Sequence, residues 1–425
     1  MLTIDKSAYE NGLLQGKLTG KYLRRKLDTI RKIAQKTDYS GNVFTSRSRD
    51  FTNLLKKVAP AWLEEAKGIA DGAGMNADEL LMLNSPPSDT FSKGGMNCTS
   101  FMRIGDRENL LFKIRDERNW TQHFVIKKNG NAMRFQAGTD IGNLGVAYFF
   151  NENCIAGANN TGSESKDISD EPRLSDCHIL RLFAEQCKSV DDAPVLLEKL
   201  LKAKAVGGAG RDRGIIFLLV DKEKGMLLEC TSEDYALRVI DNGILSVSNH
   251  YLTRKAQSWK LKKPRRNTVL RKKRIDELLD TCADNPTLKD IMRFSRDRKH
   301  LPHALCNDDG KHFWMTLSAA AQVINRQEPG NSRQLFCCGN TRNSFYLPFS
   351  VRENNNFLPL VSGDFYETAD KLYKKFACGD HLLREQRKFE REIIKSMAQN
   401  RFPEKLEQTA FNILKFTFAK QNPVN

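Results

Sequence analysis

Cys98 is the residue of this 425-residue chain whose position best suits nucleophilic chemistry. It lies in the segment Met96-Asn-Cys-Thr-Ser-Phe101, between a loop containing Gly94 and Gly95 and a run that predicts a strand. A cysteine thiolate attacks carbonyl carbon atoms and forms a thioester, provided that a base takes the thiol proton. The alternative is a core thiol without a chemical role, which is the commoner case for a single cysteine at the start of a strand.

The predicted secondary structure changes at Cys98. Before it, apolar residues at helical spacing and the capping-box pattern from Asn76 to Glu79 predict helices from Ser7 to about Gly95. After it, short apolar runs separated by Gly and Asn predict antiparallel strands. These strands are Thr99–Ile104, Leu110–Ile114, Gly145–Phe150, Cys154–Ala158, Ile215–Val220, Met226–Thr231, Tyr235–Ile240, Ile244–Ser248, Phe313–Leu317 and Leu335–Cys338.

Helices are predicted between and after the strands. A two-part helix is expected over Ser175–Ala203, a helix-rich stretch over Thr268–Phe294, and basic amphipathic helices from Asp364 to about Lys420. This order of helices, strands, helices, strands and helices predicts an α+β fold with a layered core.

Five segments carry a resemblance to a known family, and they occur in the family's order. They are Glu65–Asn84, Cys98-Thr-Ser-Phe101, Lys113-Ile-Arg-Asp116, the hairpin of Asp221 and Glu229 leading to Ser248-Asn-His250, and Leu301–Cys306. Together they resemble the isopenicillin N acyltransferase (acyl-coenzyme A:6-aminopenicillanic acid acyltransferase) family. Its relatives are penicillin V acylase and bile-salt hydrolase.

The resemblance implies the four-layer αββα sandwich of N-terminal-nucleophile hydrolases and activation by self-cleavage. The Cys98 sulfur would attack the Asn97 carbonyl, and water would then release the upstream chain. Residues 1–97 would form a helical pro-segment packed on the same domain. Residues 98–425 would form the catalytic segment, and the two fragments would remain associated as a heterodimer.

The resemblance also implies roles for three catalytic residues. Cys98 would act on a linear amide, with its own liberated α-amine as the base, because such an amine has a pKa of about 7.7–8.0. Asp116, eighteen positions after Cys98, would orient that amine. Asn249 would donate its side-chain amide to the oxyanion. The alternatives are a surface aspartate in a charged hairpin and a turn residue after a strand.

Four more residues are candidates for the substrate pocket. Lys113 stands where the family has an arginine, and Arg271 matches a family Ser-x-x-Arg position. Asn159 and Asn160 occupy the place of a pocket-lining Asn-Gly loop. A tight hairpin turn is the equal alternative for the two asparagines, and a solvated helix arginine is the equal alternative for Arg271.

Three positions depart from the family pattern. Asn97 replaces the usual glycine, Lys113 replaces an arginine, and no arginine stands near Lys311-His312. These departures favour a second hypothesis, in which the chain is a catalytically degenerate basic protein that binds anionic lipid or nucleic acid.

The net charge of +16 and the sequence pI near 9.3 predict attraction to anionic partners. The most basic stretch, Arg254–Arg274, is interpreted first as a solvated insertion and second as a region that attracts an anionic substrate. Because no nucleic-acid fold signature accompanies it, a nucleic-acid partner is disfavoured.

The remaining expectations concern compartment and cofactors. No apolar run approaches the roughly 18 residues of a membrane span, and the N-terminus is not a signal peptide, which predicts a cytoplasmic protein. The ten cysteines are expected to be mostly free, buried thiols without a metal site. No cofactor is expected, although a coenzyme A thioester could serve as the acyl donor.

Overall fold

The structure is a computed structural model. It describes residues 6–34, 41–85, 97–117, 120–169, 171–209, 212–283, 285–308, 315–353, 357–375, 380–403 and 405–420. The loop with Gly94 and Gly95 and the pair Lys311-His312 lie outside these residues.

The described residues from 6 to 85 are mostly helical, as predicted. The helices are α1 (Ala8–Ala34), α2 (Gly41–Val58), α3 (Ala61–Ala73) and α4 (Ala77–Asn84). The capping box is present at the start of α4, where the Asn76 side chain accepts from the Asp78 backbone N–H at 2.8 Å. Helices α1 and α3 approach closely because glycines line their contact: a Cβ at Gly12 would lie 2.2 Å from the Glu65 carbonyl oxygen.

Thirteen strands among the described residues form two antiparallel sheets. The six-stranded sheet has the order β10-β1-β2-β11-β12-β13, and the seven-stranded sheet has the order β3-β4-β5-β6-β7-β8-β9. The strands are β1 (Asn97–Ile104), β2 (Glu108–Glu117), β3 (Gln122–Lys127), β4 (Phe135–Asp140), β5 (Tyr148–Asn151), β6 (Ala156–Glu164), β7 (Arg213–Val220), β8 (Gly225–Cys230), β9 (Tyr235–Ile240), β10 (Gly243–Val247), β11 (Met315–Asn325), β12 (Arg333–Cys338) and β13 (Tyr346–Phe349).

The later helices lie in three groups along the chain: between β6 and β7, between β10 and β11, and after β13. They are α5 (Asp176–Gln186), α6 (Asp192–Lys202), α7 (Arg254–Gln257), α8 (Arg266–Asp280), α9 (Leu288–Phe294), α10 (Leu358–Ser362), α11 (Asp364–Lys375), α12 (Asp380–Gln399) and α13 (Leu406–Lys420). The two-part helix predicted after Ser175 is confirmed by α5 and α6. None of the described helices unites the length and the apolar character that crossing a membrane requires.

The packing of strand β7 shows how the layers are stacked. Its residues Ile216 and Leu218 pack in the cluster that contains the six-stranded sheet, whereas Ile215 and Phe217 pack with helices α1 to α6. Alternate residues of a strand face opposite sides, so each face of this sheet covers a different layer. Helices α8, α9 and α11 to α13 contribute to the first cluster from the other side. The predicted four-layer αββα sandwich is confirmed.

A buried ionic network joins the helical segment before Cys98 to the sheets after it. Glu65 of α3 accepts hydrogen bonds from Arg181 of α5, from Lys127 of β3, and from Asn129 at 2.9 Å. Burial alone would raise the pKa of Glu65, but Arg181 and Lys127 outweigh it and lower the pKa to about 2. Glu65 is therefore a buried carboxylate held by charges from the other segment.

Candidate active site

Cys98 is the second residue of β1. In the ladder between β1 and β2, Asp116 lies opposite Asn97, and Arg115 lies opposite Cys98. Two residues further on, Ser100 donates to the Asn160 Oδ1 atom of the other sheet at 2.7 Å. The Cys98 side chain therefore points between the sheets, and the Asn97 side chain points away from that space. Cys98 is buried, with 4% of its surface exposed.

Burial sets the ionisation of the Cys98 thiol. It raises the pKa of Cys98, and the nearby charges of Lys113 and Arg115 act in the opposite direction. The thiol is therefore protonated at neutral pH unless a base is supplied.

Asn249 follows β10 and fixes the backbone of Cys98. Its Oδ1 atom accepts from the Cys98 N–H at 2.9 Å and from Arg271 Nη2 at 2.7 Å, while its Nδ2 atom donates to the Thr161 carbonyl at 2.9 Å. The amide group predicted to donate to an oxyanion thus has its oxygen on the Cys98 nitrogen and its donor on Thr161. The Asn249 side chain therefore makes three hydrogen bonds to residues outside its own turn, which the alternative of a simple turn residue does not explain.

Arg271 of α8 reaches the same point from the outer helix layer. Its Nη1 atom donates to the Cys98 carbonyl at 2.7 Å and to Thr99 Oγ1 at 3.1 Å, and its Nη2 atom donates to Asn97 Oδ1 at 3.2 Å. The residue is 2% exposed, so the alternative of a solvated helix arginine is wrong. Arg271 holds residues on both sides of the Asn97–Cys98 bond.

Asp116 is buried on β2 and is not the surface residue of the alternative interpretation. Its Oδ1 atom accepts from Thr316 Oγ1 at 2.6 Å. Burial raises the pKa of Asp116 to about 7, and the opposing effects of Arg271 and Thr316 are smaller. The carboxyl group can therefore take and return a proton near neutral pH.

Lys113 is a buried cation that reaches from β2 into the other sheet. Its Nζ atom donates to the Ala147 carbonyl at 3.0 Å, to Asn159 Oδ1 at 2.6 Å and to the Asn159 carbonyl. Burial lowers the pKa of Lys113. Its neighbours Asn159 and Asn160 lie inside strand β6, so the alternative of a tight hairpin turn is wrong for these two residues.

A small open cleft, with a cavity volume of about 20 Å³, lies beside Asn97 and Asn249. Its other lining residues are Ser163, Glu164, Arg213, Lys262, Lys263, Pro264, Arg265, Asn267 and Thr268. Arg213, Lys262 and Arg265 all pair with the single carboxylate of Glu164, and these contacts lower its pKa to about 2. The cleft therefore has excess positive charge.

Four residues of the site were not found from the sequence: Thr161, Glu164, Asn267 and Thr316. Asn267 donates to Asn97 Oδ1 at 2.9 Å and belongs to the basic stretch interpreted as a solvated insertion. The spacing of Thr268, Arg271 and Ile275 marks a buried helix face within that stretch and was the available signal.

Comparison with known proteins finds a family model that matches part of the chain. Residues 156–342 match the model of the family described as acyl-coenzyme A:6-aminopenicillanic acid acyl-transferase. The family resemblance is confirmed over this segment. The matched part of the acyltransferase family model contains Asn159, Asn160, Asn249 and Arg271 and begins after Cys98.

Solved structures of two variants of the conjugated bile acid hydrolase from Clostridium perfringens are similar to 61% of this chain, at 12% identity. They are covered over 93% and 94% of their own length, with TM-scores of 0.38 and 0.37. The N-acylethanolamine-hydrolyzing acid amidase ortholog of Caenorhabditis elegans is 10% identical, over 54% of this chain and 93% of that one, with a TM-score of 0.37. No curated protein matches the chain significantly.

Proposed function

We propose that this chain is an N-terminal-nucleophile amidohydrolase or acyltransferase, cleaved between Asn97 and Cys98, that forms a thioester on Cys98. The observation that carries the proposal is that buried polar side chains contact the backbone N–H and the carbonyl of Cys98. Asn249 holds the Cys98 nitrogen at 2.9 Å, Arg271 holds its carbonyl at 2.7 Å, and Asp116 lies on the adjacent strand. A core thiol without a chemical role needs none of these contacts.

Cleavage turns the nitrogen of Cys98 into an α-amine, which can act as the general base. The Oδ1 atom of Asn249 is positioned to accept a hydrogen bond from this amine, and the charge of Asp116 favours its ammonium form. The amine takes the thiol proton, and the thiolate attacks the amide carbonyl. The leaving amine takes the proton back, and the acyl group stays on sulfur.

The oxyanion needs a donor, and we assign it to Asn249 Nδ2. In the uncleaved chain this atom donates to the Thr161 carbonyl at 2.9 Å, so it must exchange that acceptor for the oxyanion. Lys113 adds a buried positive charge on the Cys98 side of the sheet and aligns β6 through Asn159.

The substrate is proposed to be a small molecule with a linear acyl-amide or acyl-thioester group. The family model is that of an acyl-coenzyme A-dependent transferase, and the similar structures are hydrolases of conjugated bile acids and N-acylethanolamines. Water or an amine would resolve the thioester, and a coenzyme A thioester could serve as acyl donor. The free state of the nine described cysteines supports a cytoplasmic location.

A panel of N-acyl amino acids, N-acylethanolamines and phenoxymethylpenicillin tests the activity, with amine release as the readout. We expect turnover of at least one amide by the native chain and none by Cys98→Ala. Cys154→Ala removes a buried thiol outside the site and should remain active. Equal turnover by the two variants would exclude Cys98 as the nucleophile.

The second candidate, a basic binding protein, is favoured by the excess positive charge of the cleft beside Asn97. It predicts that the protein binds anionic vesicles or nucleic acid, that this binding weakens from the lower to the higher of two salt concentrations, and that no amide is turned over. Amide turnover that depends on Cys98 would reject it.

A further inference from the structure

We infer that Asn97 opens the Asn97–Cys98 bond with its own side-chain amide, which leaves a succinimide at the end of the first fragment and a free α-amine on Cys98. This inference rests on the proposed cleavage and names the group that performs it. Asn97 is then a catalytic residue rather than a defective replacement for glycine.

The first argument is the face on which each side chain lies. Asn97 and Cys98 are consecutive residues of β1, so their side chains point to opposite sides of the sheet. The ladder partner of Asn97 is Asp116, an acid, and the partner of Cys98 is Arg115, a cation. Directly opposite residues of an antiparallel pair have neighbouring side chains. The proton acceptor therefore lies on the Asn97 side.

The second argument is that the carboxamide of Asn97 is held by two donors on one atom. Its Oδ1 accepts from Asn267 Nδ2 at 2.9 Å and from Arg271 Nη2 at 3.2 Å. Donors on an amide oxygen stabilise the negative charge that develops when the amide nitrogen loses a proton. They also fix the orientation of the group, and a group fixed beside its own carbonyl reacts at high effective concentration.

The third argument is that both sides of the scissile bond are immobilised. The Cys98 N–H is held by Asn249, and the Cys98 carbonyl by Arg271 and by Ser248 Oγ at 3.2 Å. The leaving nitrogen cannot move with the attacking group. These contacts therefore oppose a shift of Cys98 when the ring closes on the Asn97 carbonyl.

The step balances without water or any other reactant. The Asn97 Nδ2 atom attacks the Asn97 carbonyl carbon and gives one proton to Asp116. The bond from that carbon to the Cys98 nitrogen breaks, its electron pair stays on the nitrogen, and the nitrogen takes the proton from Asp116. The imide ring keeps the second Nδ2 proton, and later hydrolysis opens the ring.

The competing route is attack by the Cys98 sulfur, and the surroundings of the thiol favour it less. The charged groups that most affect the pKa of the thiol are Lys113, Arg115, Asp116 and Arg271, and of these four only Asp116 can accept a proton while charged. Asp116 lies on the opposite face of the sheet, and burial raises the pKa of the thiol itself. A pKa of about 7 for Asp116 suits a carboxyl that must both accept and return a proton.

Mass spectrometry of the full-length chain during cell-free synthesis tests the inference. The first fragment of the native chain should initially be lighter by one water than the free acid. Cys98→Ala should still be cleaved, although it cannot hydrolyse amides, and Asn97→Gly should remain intact. Asn267→Ala should be cleaved at least severalfold more slowly, whereas Asn285→Ala, an exposed asparagine bonded to Arg103, should be cleaved at the native rate.

Each contrary result has its own meaning. An intact Cys98→Ala chain with a normal urea midpoint, beside a cleaved native chain, assigns the step to sulfur and overturns the inference alone. Cleavage of Asn97→Gly at the native rate would also overturn the inference alone. It needs no folding control, because a variant that is cleaved has folded well enough to react. A native chain that stays intact while it hydrolyses amides overturns both the cleavage and the inference.

Discussion

Replacing Glu65 by Gln tests how the helices before Cys98 are held to the strands and helices after it. The substitution keeps the shape of a buried side chain but removes the charge that Arg181 and Lys127 share. The pKa of Glu65 falls from 4.5 to about 2, which corresponds to about 3 kcal/mol at about 1.36 kcal/mol per pKa unit. Removal of one partner from a buried pair costs about 3–5 kcal/mol.

We therefore expect Glu65→Gln to lower the free energy of unfolding by about 3–5 kcal/mol. Urea unfolding followed by circular dichroism measures it, with all proteins in the same cleavage state. Glu64→Gln is the matched control, because Glu64 is the preceding residue and is exposed, and it should change the free energy by less than about 0.5 kcal/mol. Equal midpoints for the two variants would show that the network contributes nothing.

The ion pairs of Glu65 with Arg181 and Lys127 also predict that the stability of the fold depends on pH. The pKa of Glu65 in the folded state lies below its unfolded value, so its stabilising contribution is present above about pH 4.5 and is lost as the pH falls towards 2. The difference in stability between the native chain and Glu65→Gln should shrink over this interval. A constant difference from pH 5 to pH 2.5 would contradict the assignment.

Three further predictions concern the site. Asn249→Ala removes the Nδ2 donor assigned to the oxyanion and should lower kcat by about 10²–10³ with a smaller change in KM; an unchanged kcat would contradict its role. Asp116 has a raised folded-state pKa, so the native chain should lose up to about 4 kcal/mol of stability between pH 4 and pH 7, and Asp116→Asn should not; parallel urea curves would refute this. Lys113→Met removes the Lys113 donor from the Ala147 and Asn159 carbonyls and should cost about 1–3 kcal/mol in urea unfolding, and an unchanged midpoint would exclude this contribution.

The fold was predictable wherever apolar residues showed a clear period. Strand β9 has the predicted bounds Tyr235–Ile240, and the helix predicted over Ser175–Ala203 divides into two. Strand β4 (Phe135–Asp140) was missed because Gln136, Thr139 and Asp140 make its sequence polar. All three are buried, so the tertiary contacts of polar side chains, which the sequence does not display, determine this strand.

The site was predictable only in part, for a related reason. Motif order selected Cys98, Asp116 and Asn249, and the structure brings the three residues together. The basic stretch from Arg254 to Arg274 obscured the buried face of α8, because the exposed lysines and arginines dominate its composition. Charge counts describe the whole stretch, whereas the one buried face decides which residues reach Cys98.

The most direct test of the account is the mass of the protein quenched during turnover of an acyl substrate. The account predicts a fragment that begins with Cys98 and spans residues 98–425, with one acyl group on the Cys98 sulfur and a free α-amine. An intact 425-residue chain that turns over substrate without an acyl group on Cys98 would contradict it.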